Sequence, residues 1–407
     1  MVEKETQSQK IVRISKSPKN IRNIATSAHI HHGKCVSGDT RIMLTDGSIK
    51  TAREIFEAVS RDGKVVREDE EHTVFSPNKK IEVFTLNKED KAIEKNKLEY
   101  VWRLQGGQTI RVELRNGFNI ETTPEHKYIV YRDGFQDIEA KDLKIGDRVV
   151  CSRKIEVKSQ IDLKNEIIKK LSEKNFYVNL DVEFNKELKL RLISKGITTI
   201  SKELGISIKP KSFYHGIWQN RYLLNDLVKI CNYFNINLNR AYDCISRIFY
   251  RTGKQRGGNS TKMQLPKNFE DFFYLAGLFI GDGSGKKFIA GKEQLAGRVR
   301  DICSDLKINT KRVERRDRTP EIHTNCMTLI EIFNSLFDYP KIQKSHNIKI
   351  SDFLLLNEDK YVSKLLRGYF DTDGCVEKSR RAVTISSASG QMIEDLHLLL
   401  IRFGCVA

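Results

Sequence analysis

Two nine-residue strings constrain the fold more tightly than anything else in the chain. Leu275–Gly283 reads LAGLFIGDG and Leu366–Gly374 reads LRGYFDTDG. Each is an apolar helical run with a glycine at its third position and Asp-Gly at its end. They lie about ninety residues apart, as the two halves of an internal repeat do. Glycine inside a helix costs about 1 kcal/mol relative to alanine, so its matched placement needs a structural reason. Close helix crossing supplies one. If Gly277 and Gly368 face each other, the backbones approach and the acidic ends, Asp282 and Asp373, meet near a pseudo-twofold axis.

The N-terminal region poses a different constraint. Ile21–Lys34 reads IRNIATSAHIHHGK, and Ala28-x4-Gly33-Lys34 has the spacing of a phosphate-binding loop with alanine at its first position. Gly33 and Lys34 would contact the phosphates, and the next residue should be Ser or Thr, to hold magnesium. Cys35 stands there instead. A helix should also begin at this point, yet Val36-Ser37-Gly38-Asp39 reads as a turn. No DxxG or NKxD follows in a suitable context, so the chain alone is not expected to hydrolyse GTP.

Ile21–Lys34 resembles the N-terminus of the archaeal and eukaryotic type of translation elongation factor 2, whose pattern is IRNI…AHIDHGK-Thr; His31 stands where that family has aspartate. From Cys35 onward the chain resembles an intein, a self-splicing insertion, of the kind that carries a homing endonuclease. Three stretches carry this likeness: Cys35–Thr40 with the turn Thr45-Asp46-Gly47, Gly117–His126 (GFNIETTPEH), and Ala140–Val150 (AKDLKIGDRVV). A cysteine opening an insertion can attack the carbonyl of Lys34 and convert the Lys34–Cys35 peptide bond into a thioester. An imidazole that titrates near neutrality can protonate the departing nitrogen. The resemblance assigns that role to His126, and assigns Thr123 a hydrogen bond to the scissile peptide or its oxyanion. The host loop needs a hydroxyl residue after its lysine. Splicing ends at a Cys, Ser or Thr just after the insertion, so one residue meets both demands.

The two glycine strings resemble the LAGLIDADG motif of homing endonucleases, in its two-repeat single-chain form. That likeness implies magnesium at Asp282 and Asp373 and double-stranded DNA, at the site of insertion, as the partner. Lys344 stands where the family often has a lysine aiding catalysis; a solvated lysine is the plainer reading of that residue.

The fold class expected is multidomain. Residues 1–34 are a host segment, and 35–155 an all-β splicing module of the Hint type. Residues 156–265 form a helical, helix-turn-helix-like region and linker, and 266–407 an α/β LAGLIDADG endonuclease domain. Short apolar or alternating spans predict strands at Lys80–Leu86, Glu99–Leu104, Thr109–Leu114, Tyr128–Tyr131 and Asp147–Cys151, with a helix over Thr51–Val59 and a charged loop over Arg67–Thr73. In the middle region, helical spacing marks Leu163–Asn175, Leu188–Ser194 and Leu223–Phe234. Ile197–Ser207, with Gly205 in its turn, and Lys209–Arg221 read as the two parts of a DNA-binding helix-turn-helix. The Gly-rich, basic stretch Tyr250–Lys262 reads as a linker. After the first glycine string only Lys286–Ala290 precedes the helix Lys292–Leu306, which is short for a hairpin. After the second come a strand at Ala382–Ser387 and a helix at Gln391–Phe403.

Lys plus Arg number 71 against 53 acidic residues, a formal charge of +18, which suits a polyanion partner. No apolar run approaches the ~20 residues of a membrane span. The N-terminus has no signal-peptide core, so a cytoplasmic location is expected. The 8 cysteines include no CxxC pair, which argues against a zinc ribbon. Splicing should need no cofactor; GTP and the ribosome belong to the spliced host alone. The sequence stops at Ala407 without a terminal His-Asn pair. This suggests a fragment or the N-terminal half of a split intein, whose partner would be a separate C-terminal chain. A DNA-binding remnant with a decayed nuclease is the competing expectation.

Overall fold

A computed structural model describes residues 35–69, 72–104, 107–159, 161–206, 210–251 and 261–405. The phosphate-loop residues Gly33 and Lys34, with the rest of 1–34, lie outside them, as do 252–260 of the expected linker. The chain divides into two compact units.

The first unit comprises Met1–Ile42, Thr51–Lys80 and Glu99–Cys151. Its helix Ala52–Asp62 opens with a capping box: Thr51 accepts from the Glu54 N–H while the Glu54 side chain accepts from the Thr51 N–H. Ile55 and Val59 are buried along one face. An antiparallel sheet runs Lys64–Glu68, His72–Ser76, Val101–Leu104, and a hairpin pairs Ile110–Glu113 with Asn119–Thr122. A third sheet has Lys127–Tyr131 at its centre, between Phe135–Glu139 and Arg148–Val149. A small core of Tyr128, Val130 and Ala140 lies behind it. Arg132 closes this sheet with a two-pronged bond to Asp147, at 2.8 and 2.5 Å. The expected charged loop over Arg67–Thr73 is instead a strand end, two residues outside those described, and the start of the strand His72–Ser76.

The second unit comprises Met43–Lys50, Ile81–Leu98 and Ser152–Ala407. Its middle region is not purely helical. The helices Leu163–Ser172, Val182–Lys195 and Leu224–Tyr233 surround an antiparallel sheet ordered Tyr222–Leu223, Phe176–Leu180, Ile245–Tyr250. Phe176, Val178 and Leu180 alternate inward, a period-two signal embedded between helical spans. The two short helices Ile197–Glu203 and Pro210–Trp218 flank a turn with Gly205 at φ +52°.

The rest of this unit contains the two glycine helices, Phe269–Asp282 and Asp359–Asp373. The first is followed by Gly283–Ser284, Lys287–Ile289, the helix Glu293–Asp305, Lys311–Arg315, Arg318–His323 and the helix Met327–Leu336. The four strands form one sheet, in the order Gly283–Ser284, Lys287–Ile289, Arg318–His323, Lys311–Arg315. The first hairpin is indeed short. The sheet is nonetheless completed by two strands from beyond the helix, which the sequence did not mark. The second glycine helix leads to the hairpin Gly374–Glu377/Ala382–Ile385 and the helix Gly390–Ile401. Arg402, fully buried, ties that helix to the Leu355 and Asn357 carbonyls and to Asp359.

Candidate active sites

Cys35–Thr40, Gly117–His126 and Ala140–Val150, three of the segments that carry the intein likeness, meet in the first unit. Val36 and Thr122 form an antiparallel bridge, and the Ser37 N–H donates to the Glu121 carbonyl at 2.8 Å. The Cys35 backbone is gripped at both polar atoms. Its N–H donates to Thr123 Oγ1 at 3.3 Å, and its carbonyl accepts from the Thr123 N–H at 3.0 Å. That N–H belongs to the nitrogen of the Lys34–Cys35 peptide bond. Thr123 also opens the turn that ends at His126, whose N–H donates to the Thr123 carbonyl at 3.1 Å. The turn is bolted to the closing element: the Ala140 N–H donates to the His126 carbonyl and the Lys141 N–H to that of Pro124. The His126 ring packs edge-on against Tyr128, centroids 5.2 Å apart, and the Tyr128 hydroxyl pairs with the buried Thr122 at 3.2 Å.

The Cys35 thiol is held by a residue that sequence reasoning missed. The Trp102 indole N–H donates to Sγ at 3.3 Å. Burial raises the Cys35 thiol above its usual pKa, and the Trp102 bond opposes that rise. The only signal in the sequence was an aromatic at a solvent-facing strand position.

The second site lies at the C-terminal ends of the glycine helices. A Cβ on Gly277 would overlap the Leu365 carbonyl oxygen, and one on Gly368 would overlap that of Tyr274 and sit 3.1 Å from the Gly277 Cα. The close crossing expected from the sequence is therefore present. It brings the acidic ends together: a Cβ on Gly281 would lie 3.2 Å from Asp373 Oδ1. Loss of solvation raises the Asp282 and Asp373 carboxyls, and the Asp282 charge raises Asp373 further. Lys344 is not the solvated lysine of the plainer reading. Its Nζ donates to the carbonyls of Gly283 (2.9 Å), Phe279 (3.3 Å) and Gly281, at the end of the first glycine helix. Burial pushes its pKa down to about 8, although Asp373 and Asp282 pull the other way. Gln343, at φ +47°, turns the chain so that Lys344 begins a short helix.

Among the described residues no cluster of three or more His, Cys, Asp or Glu stands together. The carboxylates of Asp282 and Asp373, which meet at the helix ends, are nevertheless of the donor type that would hold magnesium. That ion commonly takes one or two protein carboxylates and completes its shell with water and phosphate oxygens.

Comparison with known proteins defines the class. A family model described as the intein splicing domain matches residues 42–362, and a LAGLIDADG-like domain matches 360–407. The chain belongs to the intein splicing family and carries a LAGLIDADG-like domain. Among curated relatives, elongation factor 2 of Methanopyrus kandleri is 36% identical over 99% of this chain and 32% of that protein. A probable translation initiation factor IF-2 of Thermococcus kodakarensis is 29% identical over 94% of the chain and 31% of that protein. The reverse gyrase of Methanocaldococcus jannaschii is 24% identical over 91% of the chain and 21% of that protein. The chain thus spans about a third or less of the length of these relatives. Solved structures with local likeness include the Pab PolII intein, 29% identical over 31% of this chain and 70% of that one, TM-score 0.27. The TvoVMA intein is 20% identical over 28% of this chain and 67% of that one, TM-score 0.26. No helix among the described residues is long and apolar enough to cross a membrane.

Proposed function

We propose that the segment from Cys35 onward is an intein that interrupts the phosphate loop of an elongation factor 2-type host after Lys34, begins its excision by an N–S acyl shift at Lys34–Cys35, and carries a DNA endonuclease. The observation that carries this is the grip of Thr123 on both backbone polar atoms of Cys35. In the first step Sγ of Cys35 attacks the Lys34 carbonyl carbon. The S–C bond forms, the C–N bond breaks, and the thiol proton is balanced by one gained at the freed Cys35 nitrogen, with His126 as carrier. Thr123 Oγ1 already accepts from that nitrogen's N–H, so it steers the leaving group.

The relatives support an insertion rather than a shared host activity. An elongation factor, an initiation factor and a reverse gyrase differ in name and role, yet each matches more than nine-tenths of this chain. Of these three, only the elongation factor match reaches 99%. In this reading Gly33 and Lys34 bind GTP, and the host meets the ribosome, only after excision restores Ser or Thr beside Lys34. The protein is cytoplasmic.

At the second site Asp282 and Asp373 hold magnesium, which would supply activated water and charge stabilisation at each scissile phosphate. Lys344 adds a fixed positive charge, and the basic surface holds double-stranded DNA at the insertion site. A DNA-binding remnant with a decayed nuclease is the second reading. The first hairpin favours it, since its strands Gly283–Ser284 and Lys287–Ile289 are only two and three residues long, although Arg318–His323 and Lys311–Arg315 complete the sheet.

Mass spectrometry of purified chain with and without thiol tests the first part. Cleavage at Lys34–Cys35, stimulated by thiol and absent in Cys35→Ala, is expected; equal cleavage in that variant rejects the reading. Magnesium-dependent nicking lost in Asp282→Asn and Asp373→Asn separates the two nuclease readings.

A further inference from the structure

The backbone contacts that hold Cys35 leave its side chain free to rotate about χ1, and a nucleophile that samples three rotamers spends most of its time misdirected. One interaction fixes the sulfur. Trp102 lies on Val101–Leu104, in register with the buried Val74 of the neighbouring strand, and its indole N–H points at Sγ at 3.3 Å. The ring itself is half exposed, so core packing does not explain a tryptophan here. Indole has one polar function, a donor, and here that donor is aimed at the sulfur.

We propose that Trp102 is a catalytic residue of the acyl shift: its N–H holds the Cys35 sulfur in one rotamer and stabilises negative charge on it as the proton leaves. The inference rests on the splicing reading above and adds a group to it. The chemistry follows from where charge moves. Half-burial disfavours a thiolate, and a hydrogen bond to an ionised acceptor is roughly twice as strong as one to a neutral acceptor. The bond therefore strengthens as the proton departs and weakens once sulfur becomes part of a neutral thioester. It favours attack and does not hold the product back.

Two measurements test this. Trp102→Phe keeps the aromatic surface and removes the donor. N-terminal cleavage and the alkylation of Cys35 by iodoacetamide at pH 7, followed by peptide mass spectrometry, should both slow about ten-fold, the scale of one lost bond to a charged group. The second measurement leaves Trp102 in place, so it holds even if Trp102→Phe fails to fold. The chain has 2 tryptophans, and Trp218→Phe makes Trp102 the sole emitter. Its fluorescence should then titrate with pH, and that transition should vanish when Cys35→Ala is added. Unchanged cleavage and alkylation in a folded Trp102→Phe variant, or the same emission profile with and without Cys35, overturns the assignment. Cleavage that survives Cys35→Ala would instead sink the splicing reading itself.

Discussion

Gly277→Ala adds one methyl group where the two glycine helices cross. The new Cβ would overlap the Leu365 carbonyl oxygen and lie 2.9 Å from both the Leu365 carbonyl carbon and the Tyr369 nitrogen. All three are backbone atoms, so no side-chain rotation relieves the clash. The helices must separate by roughly 1 Å to restore ordinary contact, and every residue pair along the crossing loosens with them. Overpacking a tight interior typically costs about 1–3 kcal/mol, and a backbone clash belongs at the upper end. For a unit this large, ~3 kcal/mol lowers the melting temperature by roughly 6–12 °C. The control is Gly297→Ala in the helix Glu293–Asp305, where the new Cβ would meet only an Arg300 nitrogen at 3.8 Å. Relief of the glycine penalty should stabilise that variant by about 0.5–1 kcal/mol. Calorimetry reads both. If Gly277→Ala melts at or above the wild-type temperature, the crossing is not close and the placement of Asp282 beside Asp373 falls with it.

Arg132 and the Lys144 N–H hold the Asp147 carboxyl well below its usual value, at about 2. A depressed carboxylate stabilises the fold fully above its unfolded pKa, and that contribution disappears as pH falls through the folded value. Melting temperature should therefore drop more steeply between about pH 4 and pH 2 in wild type than in Asp147→Asn; parallel curves would refute the bond's role. Lys344 should keep its proton at pH 7 and lose it as pH rises through about 8. It also lowers the Asp282 and Asp373 carboxyls, so Lys344→Met should move the acidic limb of any nicking profile to higher pH, with partial return in Lys344→Arg; an unmoved limb would remove Lys344 from the site. Cleavage at Lys34–Cys35 should fall through a urea titration in step with loss of the first unit's sheet signal, since Thr123 reaches Cys35 only in the fold. Cleavage that persists in the unfolded chain would show that Thr123 and Trp102 are dispensable.

Much of the two sites was legible because their residues have few other reasons to be where they are. A glycine at matched places in two apolar helices is costly unless the helices touch, and Gly277 and Gly368 do touch. The strand Lys127–Tyr131, buried on one face, was also legible within one residue, and Val101–Leu104 within two, although none of its residues is fully buried. Ala92–Lys97 was not, because all six residues are exposed and its sequence has no alternation to read. The sheet at Phe176–Leu180 was hidden by the helices on either side, whose longer apolar period dominates any window wide enough to average. Lys344 was misread for a different reason. A lysine's hydrophilicity describes its free state, while its place here is set by three carbonyls whose position depends on how the first glycine helix ends.

The two sites share a construction that bears on when they can act. Neither exists in any short stretch of chain. Cys35 meets Thr123 across 88 positions, and Asp282 meets Asp373 across a full repeat. A free cysteine beside a peptide bond does nothing useful, because the amide is stable and the thiol's usual pKa keeps most of it protonated at neutral pH. The fold adds the parts that, under the splicing proposal, would make it reactive: an acceptor on the Cys35 N–H, a donor on the sulfur, and an imidazole anchored in the same turn as Thr123. The same holds for the carboxylates, which are ordinary acids until burial at the helix ends raises both and the Asp282 charge raises Asp373 further. Reactivity thereby waits on folding. Under the splicing proposal this delay has a physical advantage, since a bond cleaved before the sheet forms would release the N-terminal segment with no folded module to hold it.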